Sequence, residues 1–223
     1  HSKPNLETPL RLGFNIDDVV RDTSKRISWF YVKDYLTNYG IVPSLNYEDV
    51  DLGDLSNSLG FKKESKLPIE DKYDEIVDAN EVVDKKTAFE YEKFIQDNYL
   101  DIFGNSTEVY KGASTDLNNL FEFLKEENIK PVIIQREGGI IRNATFLFLS
   151  DKGISIDQVN FIKNYEDAFD YCDILVTANP NFLKIGSKNN IIKLNTHYNK
   201  DIETTYEINK INDMFDLVNK IKK

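Results

Sequence analysis

The residues best placed to do chemistry lie at the end of a short apolar run. Leu10 to Ile16 predicts a strand, and four polar residues close it or follow it: Asn15, Asp17, Asp18 and Asp22. Successive strand side chains alternate between faces, so Asn15 and Asp17 are expected to point the same way. The carboxyl ends of strands in open α/β sheets are where ligands bind. Two carboxylates there would hold magnesium and phosphate, but this pair is one amide and one carboxylate.

The elements that must position these residues alternate between apolar strands and amphipathic helices. Predicted strands after the first are Pro131–Gln135, Gln158–Ile162, Asp173–Val176 and Ile191–Leu194. The first predicted helix begins after Asp22 or Thr23 and ends near Gly40. The further predicted helices are Thr87–Tyr99, Asp116–Asn128, Ile141–Lys152 and about Ile208–Lys222. A turn is expected at Asn179-Pro180. This alternation predicts an α/β fold, a parallel sheet with helices on both faces.

The hydrophobic periodicity and charge of the sequence divide the chain into three parts. Residues 1–9 are expected to form a flexible lead-in, and residues 10–23 and 106–223 the α/β core. Residues 24–105 lack strand–helix alternation, and residues 46–101 within them carry 16 acidic residues against 7 lysines, a balance of −9, so we predict a mostly helical, acidic insert after the first strand. The length of 223 residues suits a core with such an insert.

Composition narrows the classes of function. A net charge of −10 makes direct nucleic-acid binding unlikely, because that affinity depends on a basic face. Cys172 is the single cysteine, which excludes an internal disulfide and fits a reducing compartment, so a cytoplasmic location is expected. No apolar run approaches the ~20 residues of a membrane span.

The stretch from Asn15 to Thr23, NIDDVVRDT, resembles the first motif of the haloacid dehalogenase (HAD) superfamily of phosphohydrolases. It is most similar to the 5'-nucleotidase branch, whose version reads roughly DIDGVLADT. The resemblance implies a Rossmann-like core with a cap inserted after the first strand. It also implies that Asn15 stands at the position of the nucleophilic aspartate and Asp17 at that of the general acid/base.

The second and third HAD motifs have degenerate counterparts. The strand ending at Ile134 is followed by Gln135 and Arg136, where the family has a hydroxyl residue that holds the phosphoryl group. Arg142 is the nearest counterpart of the lysine in the third motif. The resemblance makes all three candidate ligand-binding residues. The alternatives are an ordinary strand-to-helix turn with glycines after Glu137 and a surface arginine at a helix start.

The fourth motif keeps its leading aspartate and trailing proline but lacks the two acidic residues that bind metal in the family. Cys172 to Pro180, CDILVTANP, resembles the nucleotidase form ADLLIDDRP, and Thr177 and Ala178 replace the two metal-binding acids. Thr177 becomes a candidate ligand-binding residue, and Asp17 and Asp22 remain as weak magnesium candidates. The same pattern resembles phage-encoded HAD-like proteins with a TANP-type motif. The loop from Thr196 to Asp201 resembles the nucleotidase PYNRD loop, and His197 in it is a bystander or a base.

Three functions stay open on the sequence. The first is a non-catalytic HAD-like protein, encoded by a phage, that binds a host or phage protein or a small phosphorylated ligand and needs no cofactor. The second is a magnesium-dependent phosphohydrolase that acts on nucleotides through a rebuilt site. The third is a structural component of a phage particle, which would place the chain in the virion rather than in the host cytoplasm.

Overall fold

A parallel sheet of six strands forms the centre of the computed structural model, which describes residues 8–27, 29–30, 93, 95–187 and 190–221. The strand order is β3-β2-β1-β4-β5-β6, and every neighbouring pair is parallel. The strands are β1 Leu10–Phe14, β2 Ile129–Gln135, β3 Val159–Phe161, β4 Ile174–Thr177, β5 Ile191–Leu194 and β6 Tyr206–Ile208. β1 therefore lies inside the sheet, between β2 and β4.

Helices connect the strands and cover both faces. They are α1 Ala113–Glu126, α2 Gly139–Asp151, α3 Ala168–Tyr171, α4 Pro180–Ile185 and α5 Asp213–Ile221. Residues 23–27, 29–30 and 95–99 are also helical, and a π-helical turn, Leu100–Gly104, follows the last of these. None of the helices in the described ranges is long and apolar enough to cross a membrane.

The sheet is buried on both sides, as parallel sheets usually are. Phe14 of β1 packs edge-on against Phe121 of α1 at 5.4 Å between ring centroids, inside a core that also includes α5. Ile134 of β2 and Leu175 of β4 face the opposite core, with Phe182 of α4. Adjacent positions on each strand thus reach different cores, and the strands read as continuous apolar runs.

The predicted fold class is confirmed. The strands predicted from β1 to β5 occur in the expected order, with bounds shifted by one or two residues. One glycine in β1 is required by packing, since a Cβ on Gly13 would lie 2.9 Å from the Sγ of the buried Cys172.

The end of the chain differs from the prediction. The last helix begins at Asp213, and Tyr206–Ile208 forms β6 at the sheet edge. Ile208 and Ile211 match the spacing of the apolar residues in the helix, so the sequence pattern assigns Ile208 to the helix and not to a strand. The expected turn at Asn179-Pro180 is instead the start of α4, where the Asn179 side chain accepts a hydrogen bond from the backbone N–H of Asn181.

Most of the predicted insert lies outside the described residues. The lead-in up to residue 7, the end of the first helix and residues 31–92 all belong to that part of the chain. Helical residues 95–99 agree with the end of the predicted helix Thr87–Tyr99.

Candidate functional site

Asn15 lies directly after β1 and is locked into the sheet by its own amide. Its Nδ2 donates to the carbonyl of Ile134 at 2.6 Å, and its Oδ1 accepts from the hydroxyl of Thr177. Its backbone N–H donates to the carbonyl of Val176 at 3.0 Å. The side chain therefore joins the ends of β2 and β4 across β1, and only 4% of the residue is exposed. An amide can make this pair of bonds and a carboxylate cannot, because a carboxylate has no donor.

Asp17, two residues further, receives hydrogen bonds from three side chains. Arg21 donates to its Oδ1 at 2.7 Å, and the Thr23 hydroxyl lies 2.5 Å from the same atom. Gln135 donates to Oδ2 at 2.9 Å. Burial alone would raise the pKa of the Asp17 carboxyl, but the Arg21 guanidinium and these hydrogen bonds outweigh it and hold the pKa below its ordinary value.

Arg21 is the centre of the site, and its side chain is fully buried. Besides Asp17 it binds Glu137 at 2.8 Å, and it donates to the Thr145 hydroxyl at 2.7 Å and to the Phe103 carbonyl at 3.1 Å. Burial tends to lower the pKa of the guanidinium, but the two carboxylates raise it above its ordinary value. We refer to Asp17, Arg21, Thr23, Gln135, Glu137 and Thr145 as the arginine network.

Glu137 closes the arginine network from the turn after β2. Its carboxylate accepts hydrogen bonds from Arg21, from Gln135 at 2.8 Å and from Thr145 at 2.7 Å. Burial is the main cause that raises the pKa of Glu137, and the neighbouring Asp17 charge adds to it. The Arg21 guanidinium therefore pairs with two buried carboxyl groups, of which Asp17 has a lowered pKa and Glu137 a raised one.

Gln135 is held at both ends of its amide. Its Oε1 accepts from the backbone N–H of Ile16 at 2.7 Å, while its Nε2 donates to Asp17 and Glu137. The Thr177 hydroxyl is likewise occupied, since it donates to Asn15 and accepts from the backbone N–H of Asn179 at 3.0 Å. The structure thus brings Asn15, Asp17, Gln135 and Thr177 together at one edge of the sheet, as the motif order predicts.

The remaining candidates lie at the margin or elsewhere. Arg136 borders the crevice, but its Nε donates to the Lys163 carbonyl and its guanidinium lies 4.6 Å from the Tyr165 ring centre. Arg142 is exposed on α2, and its guanidinium lies 4.7 Å from the ring centre of Phe161, a residue outside the arginine network. Asp22 and His197 line a different cavity.

Sequence reasoning missed Arg21 and Glu137. The spacing of four residues between Asp17 and Arg21 is a usable signal, because two such residues lie close together where the chain turns tightly between them. Glu137 gave no comparable signal, because its partner Arg21 lies 116 positions earlier in the chain.

The donor set does not fit a magnesium ion. Among the residues that the structure describes, no three of His, Cys, Asp or Glu gather into a group that could hold a metal. Asp17 and Glu137 are both turned to Arg21, and a second cation beside a buried guanidinium would be repelled. The space next to Asn15 and Asp17 measures about 10 Å³, roughly the room for one water molecule.

Solved structures with similar architecture are hydrolases and mutases of one superfamily. A haloacid dehalogenase-like hydrolase from Streptococcus pneumoniae aligns with a TM-score of 0.59 and 11% identity over 96% of this chain and 100% of its own. β-Phosphoglucomutase from Clostridium difficile aligns with a TM-score of 0.56 and 14% identity, covering 95% of this chain and 96% of its own. The chain has the fold of the HAD hydrolases.

A further alignment supports the same fold, while sequence comparisons add nothing. A β-phosphoglucomutase-like protein from Thermotoga maritima aligns with a TM-score of 0.54 and 14% identity over 95% of this chain and 99% of its own. No protein-family model and no curated protein matches the sequence. On the HAD fold, the arginine network occupies the carboxyl edge of the sheet, where ligands of open α/β sheets bind.

Proposed function

We propose that this protein uses the HAD fold without its reaction, as a non-catalytic protein that binds a protein partner or a small phosphorylated ligand. The observation that carries the proposal is the Arg21 guanidinium, fully buried between Asp17 and Glu137. It pairs a fixed positive charge with Asp17, the carboxylate at the general acid/base position of the motif.

The nucleophile is the first part that is missing. Covalent catalysis by this route needs a carboxylate that can attack phosphorus. Asn15 offers an amide, and both ends of that amide are bonded inside the sheet. An amide oxygen held by the Thr177 hydroxyl is neither charged nor directed at a ligand.

Proton transfer by Asp17 is the second part. A general acid works best when its pKa lies near the working pH. Arg21 holds the pKa of Asp17 below its ordinary value, so the carboxyl carries no proton to donate at neutral pH. As a base it is equally poor, because both oxygens already accept hydrogen bonds.

No metal cofactor is proposed, since Asp17 and Asp22 line different cavities and Asp17 is paired with Arg21. The motif order supports an origin from the 5'-nucleotidase branch, and the TANP-type fourth motif supports a phage gene acting in the host cytoplasm. The acidic segment 24–105 is the proposed surface for a protein partner. A phosphorylated ligand is the alternative, and because the space at Asp17 holds no more than about one water molecule, such a ligand is expected at its rim, where Arg136 lies.

Phosphate release from a broad phosphoester panel, including nucleotides, tests the proposal with magnesium or manganese present. The wild type is expected to release no more phosphate than Asp17→Asn, a matched variant that lacks the carboxylate. Asn15→Asp alone is expected to stay inactive because Arg21 remains in place. Hydrolysis by the wild type that Asp17→Asn abolishes would establish a rebuilt phosphohydrolase and overturn the proposal.

The kind of binding is tested separately by purification from the producing cells. Stable co-purification of one host or phage protein that is lost on deleting residues 31–92 would support the acidic segment as the surface. Recovery of the chain within assembled particles would favour the structural role.

A further inference from the structure

A second cavity is lined by the loop that follows β1, and no residue of the arginine network is among its described lining residues. It has a volume of about 290 Å³, just below the usual range for small-molecule sites, and Asp17 is not among its lining residues. We call it the β5 cavity, because the end of β5 and the loop after it form one wall. Its polar lining consists of Asp18, Asp22, Ser24, Tyr110, Asn195, Thr196, His197, Tyr198, Asn209 and Lys210.

Asp18 is the buried charge of the β5 cavity. It is 9% exposed and adopts a left-handed backbone conformation with φ 60°, a rare conformation that aspartate tolerates better than most residues. Its Oδ1 accepts from the backbone N–H of Ser24 at 2.9 Å, and its Oδ2 accepts from the hydroxyls of Ser24 and Tyr198. All of these donors are neutral.

No lysine, arginine or histidine in the described part of the chain forms an ion pair with Asp18. Buried charges in proteins are normally paired, because desolvation of an isolated charge is costly. Burial accordingly raises the pKa of Asp18 to about 6, in spite of its hydrogen bonds. Asp18 is therefore an anionic side chain at a cavity, and the described residues supply it with no counter-ion.

The hydroxyl groups around Asp18 can act toward a ligand only as hydrogen-bond acceptors. Ser24 and Tyr198 donate their hydroxyl hydrogens to Asp18, and Tyr110 donates its own to Asp116 at 2.8 Å. Each hydroxyl has one hydrogen, so the oxygens of these three residues remain as acceptors only. The lining is thus rich in acceptors.

Two further groups in the same wall add acceptor sites. The hydroxyl of Thr196 is buried and has no hydrogen-bond partner in the described structure. The Nδ2 of Asn195 donates to the Oδ1 of Asn209 at 3.1 Å, which leaves the Oδ1 of Asn195 as an acceptor. Lys210 is the only lysine or arginine among the lining residues that the structure describes.

We propose that the β5 cavity binds a small organic cation, a primary ammonium ion, with its nitrogen directed at Asp18. An ammonium group presents three N–H donors and no acceptor, which matches the carboxylate of Asp18 and the acceptor oxygens of Ser24 and Asn195. Tyrosine rings in the lining suit the carbon chain and the charge of such a ligand. A metal ion fits less well, because no three His, Cys, Asp or Glu side chains in the described ranges converge.

This site goes beyond the proposed function and does not rest on it, since it uses none of the arginine network. Calorimetric titration with n-butylammonium chloride tests it, at a pH above the pKa of Asp18. n-Butanol is the neutral probe of matched shape. Asp18→Asn removes the charge at nearly constant shape, Thr196→Val removes the unpartnered hydroxyl, and Asp157→Asn is a control of equal charge change at a side chain that is 78% exposed.

Saturable binding of the ammonium ion and none of the alcohol is expected. Asp18→Asn should weaken binding by about tenfold or more, since a hydrogen bond to a buried charge is lost. Thr196→Val should weaken it by a few-fold, and Asp157→Asn should leave it unchanged. Thr196→Val keeps the test decisive should Asp18→Asn fail to fold.

Three results would overturn the site. They are no ammonium binding by the folded wild type, equal binding of the alcohol, and binding that neither cavity variant weakens. Equal loss in Asp157→Asn would also count against it, because a general charge effect would then explain the attraction. Phosphatase assays have no bearing on any of these outcomes.

Discussion

Asp17 and Asp18 are adjacent in the chain, but only Asp17 has a cationic partner among the described residues. Asp17 is paired with a buried guanidinium, which holds its pKa low. Asp18 is hydrogen-bonded by neutral groups alone, and burial raises its pKa to about 6. The direction in which burial shifts the pKa of a carboxyl group thus depends on whether a cation lies beside it. Two adjacent residues can therefore have pKa shifts of opposite direction.

The largest expected effect comes from removing the shared cation. Arg21→Met leaves Asp17 and Glu137 buried without a partner, so we expect a loss of about 3–5 kcal/mol in the free energy of unfolding. Urea denaturation measures it. Arg11→Met is the control, since that arginine pairs with Asp173 at the surface and should cost about 1 kcal/mol or less.

A combined variant sharpens this result. Arg21→Met together with Asp17→Asn and Glu137→Gln removes the two stranded charges and should recover much of the lost stability. Equal stability of Arg21→Met and the wild type would show that Arg21 does not hold the two carboxylates in solution.

Asp18 should make stability fall as the pH rises, which is the reverse of an ion-paired carboxylate. Its pKa is about 6 when folded and about 3.8 when unfolded, so the folded state binds more protons in that interval. The stability it gives is complete below the unfolded pKa and is lost as the pH rises through about 6, by up to about 3 kcal/mol.

Thermal unfolding of the wild type and Asp18→Asn across that pH interval isolates the effect. Asparagine tolerates the left-handed conformation, so the variant should fold. Asp17, Asp22, His197 and Lys210 are retained in both proteins, and their contributions cancel to first order. Parallel pH profiles of the two proteins would mean that Asp18 titrates normally.

A smaller loss is expected from restoring the carboxylate of the first motif. Asn15→Asp removes the donor to the Ile134 carbonyl and leaves two oxygens facing each other, so we expect a loss of about 1–3 kcal/mol. The midpoint of urea unfolding measures it, with Thr177→Val as the comparison variant, which removes the other bond of the Asn15 side chain together with the acceptor of the Asn179 N–H. Stabilisation by Asn15→Asp would show that the site accepts a carboxylate without strain.

The smallest effect belongs to the arginine at the third-motif position. Arg142→Ala removes a cation–π contact on an exposed face and should cost about 0.5–1 kcal/mol. Urea unfolding compared with Arg21→Met measures the contrast between the two arginines. A loss as large as that of Arg21→Met would mean that Arg142 supports the buried network.

The sheet could be predicted because its strands are apolar runs bounded by polar turns. β6 was missed because three residues, one of them a glutamate, give no such run, and Ile208 matches the spacing of the helix that follows. The motif order likewise predicted that Asn15, Gln135 and Thr177 would meet, since parallel strands end at one edge of a sheet.

The chemistry of the site could not be predicted in the same way. That Asn15 is bonded through both ends of its amide depends on the positions of the Ile134 carbonyl and the Thr177 hydroxyl, which only the assembled sheet fixes. The meeting of Arg21 and Glu137 depends on a contact between distant parts of the chain. Asp18 could be placed at the end of the first strand from the sequence, but that the described residues supply it with no counter-ion depends on the folded chain.

The position of Arg21 in the same loop as Asp17 has a consequence for the conditions under which the fold persists. A site held together by a dissociable ion gains stability in proportion to the logarithm of the free ion concentration. A guanidinium attached to the chain is always at full occupancy. Chelators and changes in cellular magnesium should therefore leave this end of the sheet intact.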